Sequence, residues 1–157
     1  RESNMLDGAA PWYTIYETPD GQHLSVGAVE PQLFAQPCER IGLAPEWHAA
    51  QNDRMRWPQL REEMAAIFRG RTRDAWAALL QDTDCCVAPV LSLGEAARHP
   101  HNSVRGTFVD VAGVSQPAPA PRFSRTPSQA GQVAAQATAG AEVLARWTRE
   151  PAARSGT

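Results

Sequence analysis

The chain has 157 residues, 43% of them hydrophobic and 20% charged, which suits one globular domain with its own core and is too short for two full domains. Its 15 Lys and Arg against 17 Asp and Glu leave a net charge of −2, so there is no basic stripe of the kind that binds a nucleic-acid backbone. No run approaches the roughly 18 to 20 consecutive apolar residues that a membrane-crossing helix needs, and a soluble, cytoplasmic protein is expected.

Arg1 is not an initiator residue, so the chain is expected to be part of something longer, with no room for a signal peptide. Residues 12 to 18 and 23 to 29 are rich in aromatic and β-branched side chains. They flank Thr18-Pro19-Asp20-Gly21-Gln22, where Pro suits a turn entry and Asp-Gly its apex, and a β-hairpin is predicted. Pro31 lacks an N–H and fits the first position of a helix over about 31 to 41, which Pro37 should kink or shorten. Trp57, Leu60, Met64, Ile67 and Phe68 recur at three- and four-residue steps and predict an amphipathic helix over 57–69, with Arg61, Glu62 and Glu63 on its polar face. Thr72 caps a second helix to residue 80, with Asp74 in its first turn and Ala75, Trp76, Leu79 and Leu80 on the apolar face.

Cys85 to Leu91 is an apolar run containing Pro89, the pattern of an edge strand. Ser92 caps a short helix to about Arg98, and Thr107 to Val111 reads as a further strand. From Ser115 to Pro127 the composition turns to Pro, Ala, Ser and Arg, an extended connector. Ala134 to Trp147 carries a weak helical face of Ala137, Ala141, Leu144 and Trp147, and the last ten residues read as frayed. The expected organisation is a small α/β (α+β) domain over 1–114, with helices 57–69 and 72–80 packed on a mixed sheet. A connector over 115–132 and a C-terminal helix with its tail over 133–157 follow.

Few residues stand out for chemistry by themselves. There is no phosphate-binding loop, no GxSxG elbow and no dinucleotide fingerprint. His99-Pro100-His101 lacks Cys or carboxylate partners at ligand spacing, so no metal is expected. Cys38, Cys85 and Cys86 are odd in number and contain an adjacent pair, which predicts reduced, buried thiols. The five tryptophans, Trp12, Trp47, Trp57, Trp76 and Trp147, are expected in the core or in an interface. Glu30, at a strand end and just before Pro31, reads from its setting as a helix N-terminal carboxylate favoured by the helix dipole.

Two blocks point further. The first is Asn4-Met5-Leu6-Asp7-Gly8-Ala9-Ala10-Pro11-Trp12-Tyr13, with Tyr16-Glu17-Thr18-Pro19-Asp20-Gly21 and Val26-Gly27-Ala28-Val29-Glu30-Pro31-Gln32. The second is Thr83-Asp84-Cys85-Cys86-Val87-Ala88-Pro89-Val90-Leu91, followed by His99-Pro100-His101-Asn102, Arg105-Gly106-Thr107-Phe108 and Pro117-Ala118-Pro119-Ala120-Pro121. In order and spacing they resemble the α-methylacyl-CoA racemases of the type III CoA-transferase (CaiB-BaiF) superfamily, over roughly residues 1 to 127 and only the C-terminal part of such an enzyme. Two departures stand out: Ala9 replaces a glycine of the usual Asp-Gly-Gly-Ala-Pro, and Pro37 interrupts a helix that is normally continuous.

The resemblance implies a preceding large Rossmann-like domain that supplies a His and an Asp for proton transfer and most coenzyme A contacts. It implies that Glu30 orients that His, that Tyr13 supports the Asp, and that Asn4, Met5, Leu6 and Asp7 contact substrate. The substrate would be an acyl-CoA thioester of fatty acid metabolism, with no cofactor beyond the coenzyme A it carries, and two chains would interlock as a homodimer. The activity implied is an isomerase interconverting R and S 2-methylacyl-CoA through an enolate, with this part inactive by itself. A CoA-transferase of the same superfamily and a non-catalytic dimerisation or binding remnant are the alternatives. By itself the chain is expected to expose an apolar surface and to self-associate.

Overall fold

The computed structural model describes residues 3–131 and 139–148. They fall into two compact units, one ending at Ser92 and the other beginning at Leu93. The class is α/β (α+β), built from small antiparallel sheets and packed helices.

The first unit grows from the predicted hairpin, β1 (Tyr13–Glu17) and β2 (His23–Gly27). The Thr18 N–H donates to the Gln22 carbonyl at 2.9 Å, the Gly21 N–H donates to the Thr18 carbonyl at 3.0 Å, and Gly21 takes φ +70°. That left-handed turn position is one glycine adopts without steric cost. β3 (Val87–Pro89) lies on the far side of β2, giving the order β1-β2-β3 with both pairings antiparallel. The sheet expected to be mixed is therefore antiparallel at every described pairing. Pro89 falls on the edge strand, where its missing N–H removes nothing from a second neighbour.

Because side chains alternate along a strand, Trp12, Tyr16, Leu24, Val26 and Ala28 all point to one side and are buried. Four helices cover that side: α1 (Pro31–Ile41), α2 (Glu46–Ala49), α3 (Trp57–Phe68) and α4 (Arg73–Leu80). They contribute Phe34, Cys38, Trp47, Leu60, Met64, Phe68, Trp76 and Leu80 to a single core. Phe68 is its aromatic centre, 5.0 Å from the Tyr16 ring and 5.5 Å, edge on, from Trp76.

Several expectations change. Pro37 does not shorten α1, which runs on to Ile41 with Phe34, Pro37, Cys38 and Ile41 buried; packing of that face offsets the hydrogen bond proline removes. The apolar face of α4 is rotated from the one read in sequence. Ala75 is exposed and Leu79 is 37% exposed, while Arg73 is buried with Trp76 and Leu80. Positions 73, 76 and 80 follow the helical repeat as well as an all-apolar set would. Cys86 is exposed, unlike buried Cys38 and Cys85, and all three thiols are free. α2, only four residues long, is too short to show a period and was not expected.

In the second unit, α5 (Leu93–Ala96) stops short of the predicted Arg98. His99-Pro100-His101 opens a further helix: Pro100 starts α6 (Pro100–Val104) with His99 as its N-cap. β4 (Phe108–Val111) pairs with β5 (Val114–Pro117), so Ser115 to Pro117 belong to a hairpin and not to a connector. Ala112 and Gly113 form its two-residue loop at φ +54° and +80°, the sign combination whose twist matches paired strands. Of the helix expected from Ala134, only α7 (Gly140–Trp147) is described; residues 134–138, Ala137 among them, lie outside the described residues, as does the frayed tail beyond Thr148. α7 buries no residue, and Trp147 is 80% exposed, so it is not a core tryptophan. Among the described residues no helix is long and apolar enough to cross a membrane, and no group of three or more His, Cys, Asp or Glu is arranged to hold a metal ion.

Candidate functional site

Glu30 stands where β2 ends and α1 begins. It is the N-cap residue of α1, with extended backbone at φ −74° and ψ 138°, and its carbonyl accepts the N–H groups of Leu33 and Phe34 at 2.9 Å each. The usual N-cap side chain folds back onto the first turn. Glu30 does not do this: its carboxylate is exposed and makes no hydrogen bond among the described residues. The backbone is fixed while the functional group stays available.

The Gly27 N–H donates to the Cys86 carbonyl at 2.8 Å, which ties the entrance of β3 to the end of β2, and Cys86 adopts φ +49°. Its thiol is pushed above its ordinary range by desolvation first, and then by the negative charges of Glu30, Asp84 and Cys85. A poorly ionised thiol is a weak nucleophile.

Tyr13 begins β1 directly opposite Gly27, three residues before Glu30. It faces away from the core at 37% exposure, and the buried tyrosine of this strand is Tyr16. The Tyr16 hydroxyl donates to the Pro11 carbonyl at 2.6 Å, and burial drives its pKa well above the ordinary phenol value, against the pull of Arg61. Among the described residues the Tyr13 hydroxyl has no hydrogen-bond partner. With Ile15, Ser25 and Gly27, Tyr13 forms the outer face of the sheet, the floor of an open groove of about 710 Å³ that Asp7, Gly8 and Arg61 also line.

Asn4 to Asp7 form a turn at the rim of this groove, a single 3₁₀ turn over Met5–Asp7. The Asp7 carboxylate accepts the Asn4 N–H at 2.8 Å, the Ser3 N–H at 3.3 Å and the Asn4 side-chain amide at 3.3 Å. Partial desolvation raises its pKa, but the hydrogen bonds from Asn4, Ser3 and Ala9 together outweigh that and hold the carboxyl below its ordinary value. Asp7 is therefore occupied in its own turn, while Met5 and Leu6 present 41% and 62% of their surface to solvent. Asn4 and Met5 line a smaller cavity of about 340 Å³ with Asn52, Arg54 and Trp57. The structure brings Tyr13 and Asp7 to one groove, sets Asn4 and Met5 beside it, and leaves Glu30 off its lining. Ala9 keeps an ordinary negative φ, so the glycine it replaces is not demanded by backbone geometry.

Two residues that position the site carried no signal recognisable in the sequence. Arg61, read only as part of a solvated helix face, donates to the Gly8 carbonyl, to the Ala9 carbonyl at 2.9 Å and to Thr14 Oγ1 at 3.3 Å. It thereby fastens the turn to β1. Gln51, in the bend between α2 and α3, is 2% exposed, and its side chain donates to the carbonyls of Ala28 and Val29.

Comparison with known proteins agrees with this fold. CoA-transferase family III matches residues 1–141. The α-methylacyl-CoA racemase of Mus musculus is 41% identical over 129 residues, covering 82% of this chain and 34% of that protein. The racemase of Homo sapiens is 39% identical over 130 residues, with the same shares. The chain thus spans about a third of the length of the curated relatives it matches, their C-terminal part. Among solved structures, the hypothetical protein Rv3272 from Mycobacterium tuberculosis superposes with a TM-score of 0.60 at 18% identity, over 72% of this chain and 33% of that one.

Proposed function

The chain belongs to CoA-transferase family III, and on that premise we propose that it serves an α-methylacyl-CoA racemase. The complete enzyme interconverts R and S 2-methylacyl-CoA thioesters by moving the α-proton through an enolate. Identity of 39–41% to racemases from two mammals supports the reaction class. The observation that carries the residue assignment is Glu30, a carboxylate on a fixed backbone that neither caps its own helix nor bonds elsewhere among the described residues.

Racemisation needs a base on one face of the α-carbon, an acid on the other and donors for the enolate oxygen. The chain matches only the C-terminal part of its relatives, and the proton-carrying His and Asp would come from the part it does not match. Glu30 would accept the N–H of that imidazole, fix its tautomer and strengthen it as a base. Tyr13, with an uncommitted hydroxyl in the groove, would donate to the partner Asp. Met5 and Leu6 offer exposed apolar surface to an acyl chain, and Asn4 and Asp7 hold the turn that presents them. The chemistry uses no cofactor beyond the coenzyme A of the substrate, and the complete enzyme works as an interlocked homodimer.

Glu30→Gln keeps the shape and removes the charge. In the complete enzyme it should slow exchange of the substrate α-proton with D₂O by about 10- to 100-fold, the usual effect of losing an orienting partner. Exchange at the parent rate would remove Glu30 from the mechanism. Transfer of CoA to an acceptor acid, without α-exchange, would move the reading to a CoA-transferase.

A further inference from the structure

We infer that Gln51 is a positioning residue for Glu30, holding the strand end that presents its carboxylate; the inference rests on the role proposed for Glu30 above. The Gln51 side-chain nitrogen lies 3.3 Å from the Ala28 carbonyl and 3.0 Å from the Val29 carbonyl. Both partners are acceptors only, so the amide must turn its two donors toward them. The Gln51 main-chain carbonyl in turn accepts two indole N–H groups, from Trp12 at 2.9 Å and Trp57 at 2.8 Å. The two rings meet edge on at 6.0 Å, which leaves the bend carrying Gln51 little freedom.

The segment leading to Glu30 is bonded from two directions. From the sheet, the Ala28 N–H donates to the Trp12 carbonyl at 3.0 Å; from the helical layer, Gln51 grips the next two carbonyls. On its other side, the Glu30 carbonyl starts α1 through Leu33 and Phe34. Only the side-chain torsions of Glu30 remain free. Gln51 is 2% exposed and its bond to Ala28 is buried, that to Val29 partly so, so water competes little for the first, and losing both would leave the buried Ala28 carbonyl short of a partner. A strand end that had only to pack could end on apolar contacts. This one is held from 22 and 23 residues away in sequence, directly before the carboxylate whose direction matters.

The test is a double-mutant cycle in the complete enzyme with Gln51→Met, which keeps the length and removes the donors, and Glu30→Gln. If Gln51 acts through Glu30, Gln51→Met should lower kcat for α-proton exchange about tenfold, as small misplacements do, while KM stays within about twofold. Loosening the carboxylate should also shift the acid limb of the kcat/KM pH profile downward. The double variant should be no slower than Glu30→Gln alone. If the two losses multiply, or if Gln51→Met matches the parent while Glu30→Gln is slow, the inference is overturned and the role of Glu30 survives. Should Glu30→Gln itself be silent, the role of Glu30 falls and takes the inference with it. If Gln51→Met does not fold, Trp57→Phe takes its place in the cycle, removing one of the two indole donors; it should show a smaller loss, about threefold, with the same non-additivity.

Discussion

Replacing Trp12 by alanine is expected to lower the stability of the first unit by about 3 to 5 kcal/mol, the range for deleting a large buried aromatic. Trp12 has no exposed surface, its ring meets Trp57 edge on, and its N–H is committed to the Gln51 carbonyl. Deletion would open a void at the junction of sheet and helices and free the bend that holds the strand end before Glu30. Against a total of about 5 to 15 kcal/mol for a typical domain, such a loss takes a large share. Chemical denaturation followed by circular dichroism would show a much lower midpoint with little change in slope. Trp12→Phe should cost less, because most of the volume remains. A shift below about 1 kcal/mol for the alanine variant would mean that Trp12 is not packed as described.

Arg73→Ala should cost about 2 kcal/mol, as expected when a buried guanidinium that hydrogen-bonds several neighbours is removed, even though its charged partner Asp74 is 79% exposed. The Arg73 side chain is only 6% exposed and bonds the Asp74 carboxylate at 2.8 Å. It also donates to the Val90 carbonyl at 3.0 Å and to the Gln22 side chain at 3.4 Å, while its backbone N–H reaches Asp20 at 3.4 Å. One residue therefore joins the start of α4, the hairpin turn and the end of β3. The cost comes from losing several bonds at once and the packing of the buried side chain, because Val90 itself is 39% exposed and water can reach it. Arg73→Lys should restore little of it, since a single ammonium cannot span partners that a planar guanidinium fork reaches at once. A loss within about 0.5 kcal/mol would place Arg73 with ordinary surface arginines.

Arg73 and Gln51 also show why parts of this molecule were hidden in its sequence. The hairpin was legible because Pro19, Asp20 and Gly21 each impose a local backbone preference, and α3 because Trp57, Leu60, Met64 and Phe68 repeat over three turns. Arg73 and Gln51 are polar residues that each donate to main-chain carbonyls 17 to 23 residues away. A sequence pattern does not display which distant carbonyl lacks a donor, so neither residue stood out. β5 was hidden differently, because a Pro- and Ala-rich composition masked a pairing made by backbone groups. Glu30 stood between these cases. Pro31 marked the helix start, yet the setting alone could not say whether the carboxylate would cap that helix, and the folded chain leaves it uncapped.

The groove floor belongs to the same account. Tyr13 and Ile15 are 37% and 58% exposed on the outer sheet face of the first unit, because alternation along β1 commits Trp12 and Tyr16 to the core and turns their neighbours outward. The arrangement that buries the core thus also supplies the open surface.

The most direct measurement is to incubate the complete enzyme with one epimer of a 2-methylacyl-CoA thioester in D₂O and follow the α-position by NMR. The racemase reading predicts deuterium at the α-carbon together with a mixture of both epimers, with the thioester intact and no acceptor acid needed. Retention of the α-proton and of the starting epimer, with CoA passing to an added carboxylic acid, would contradict it.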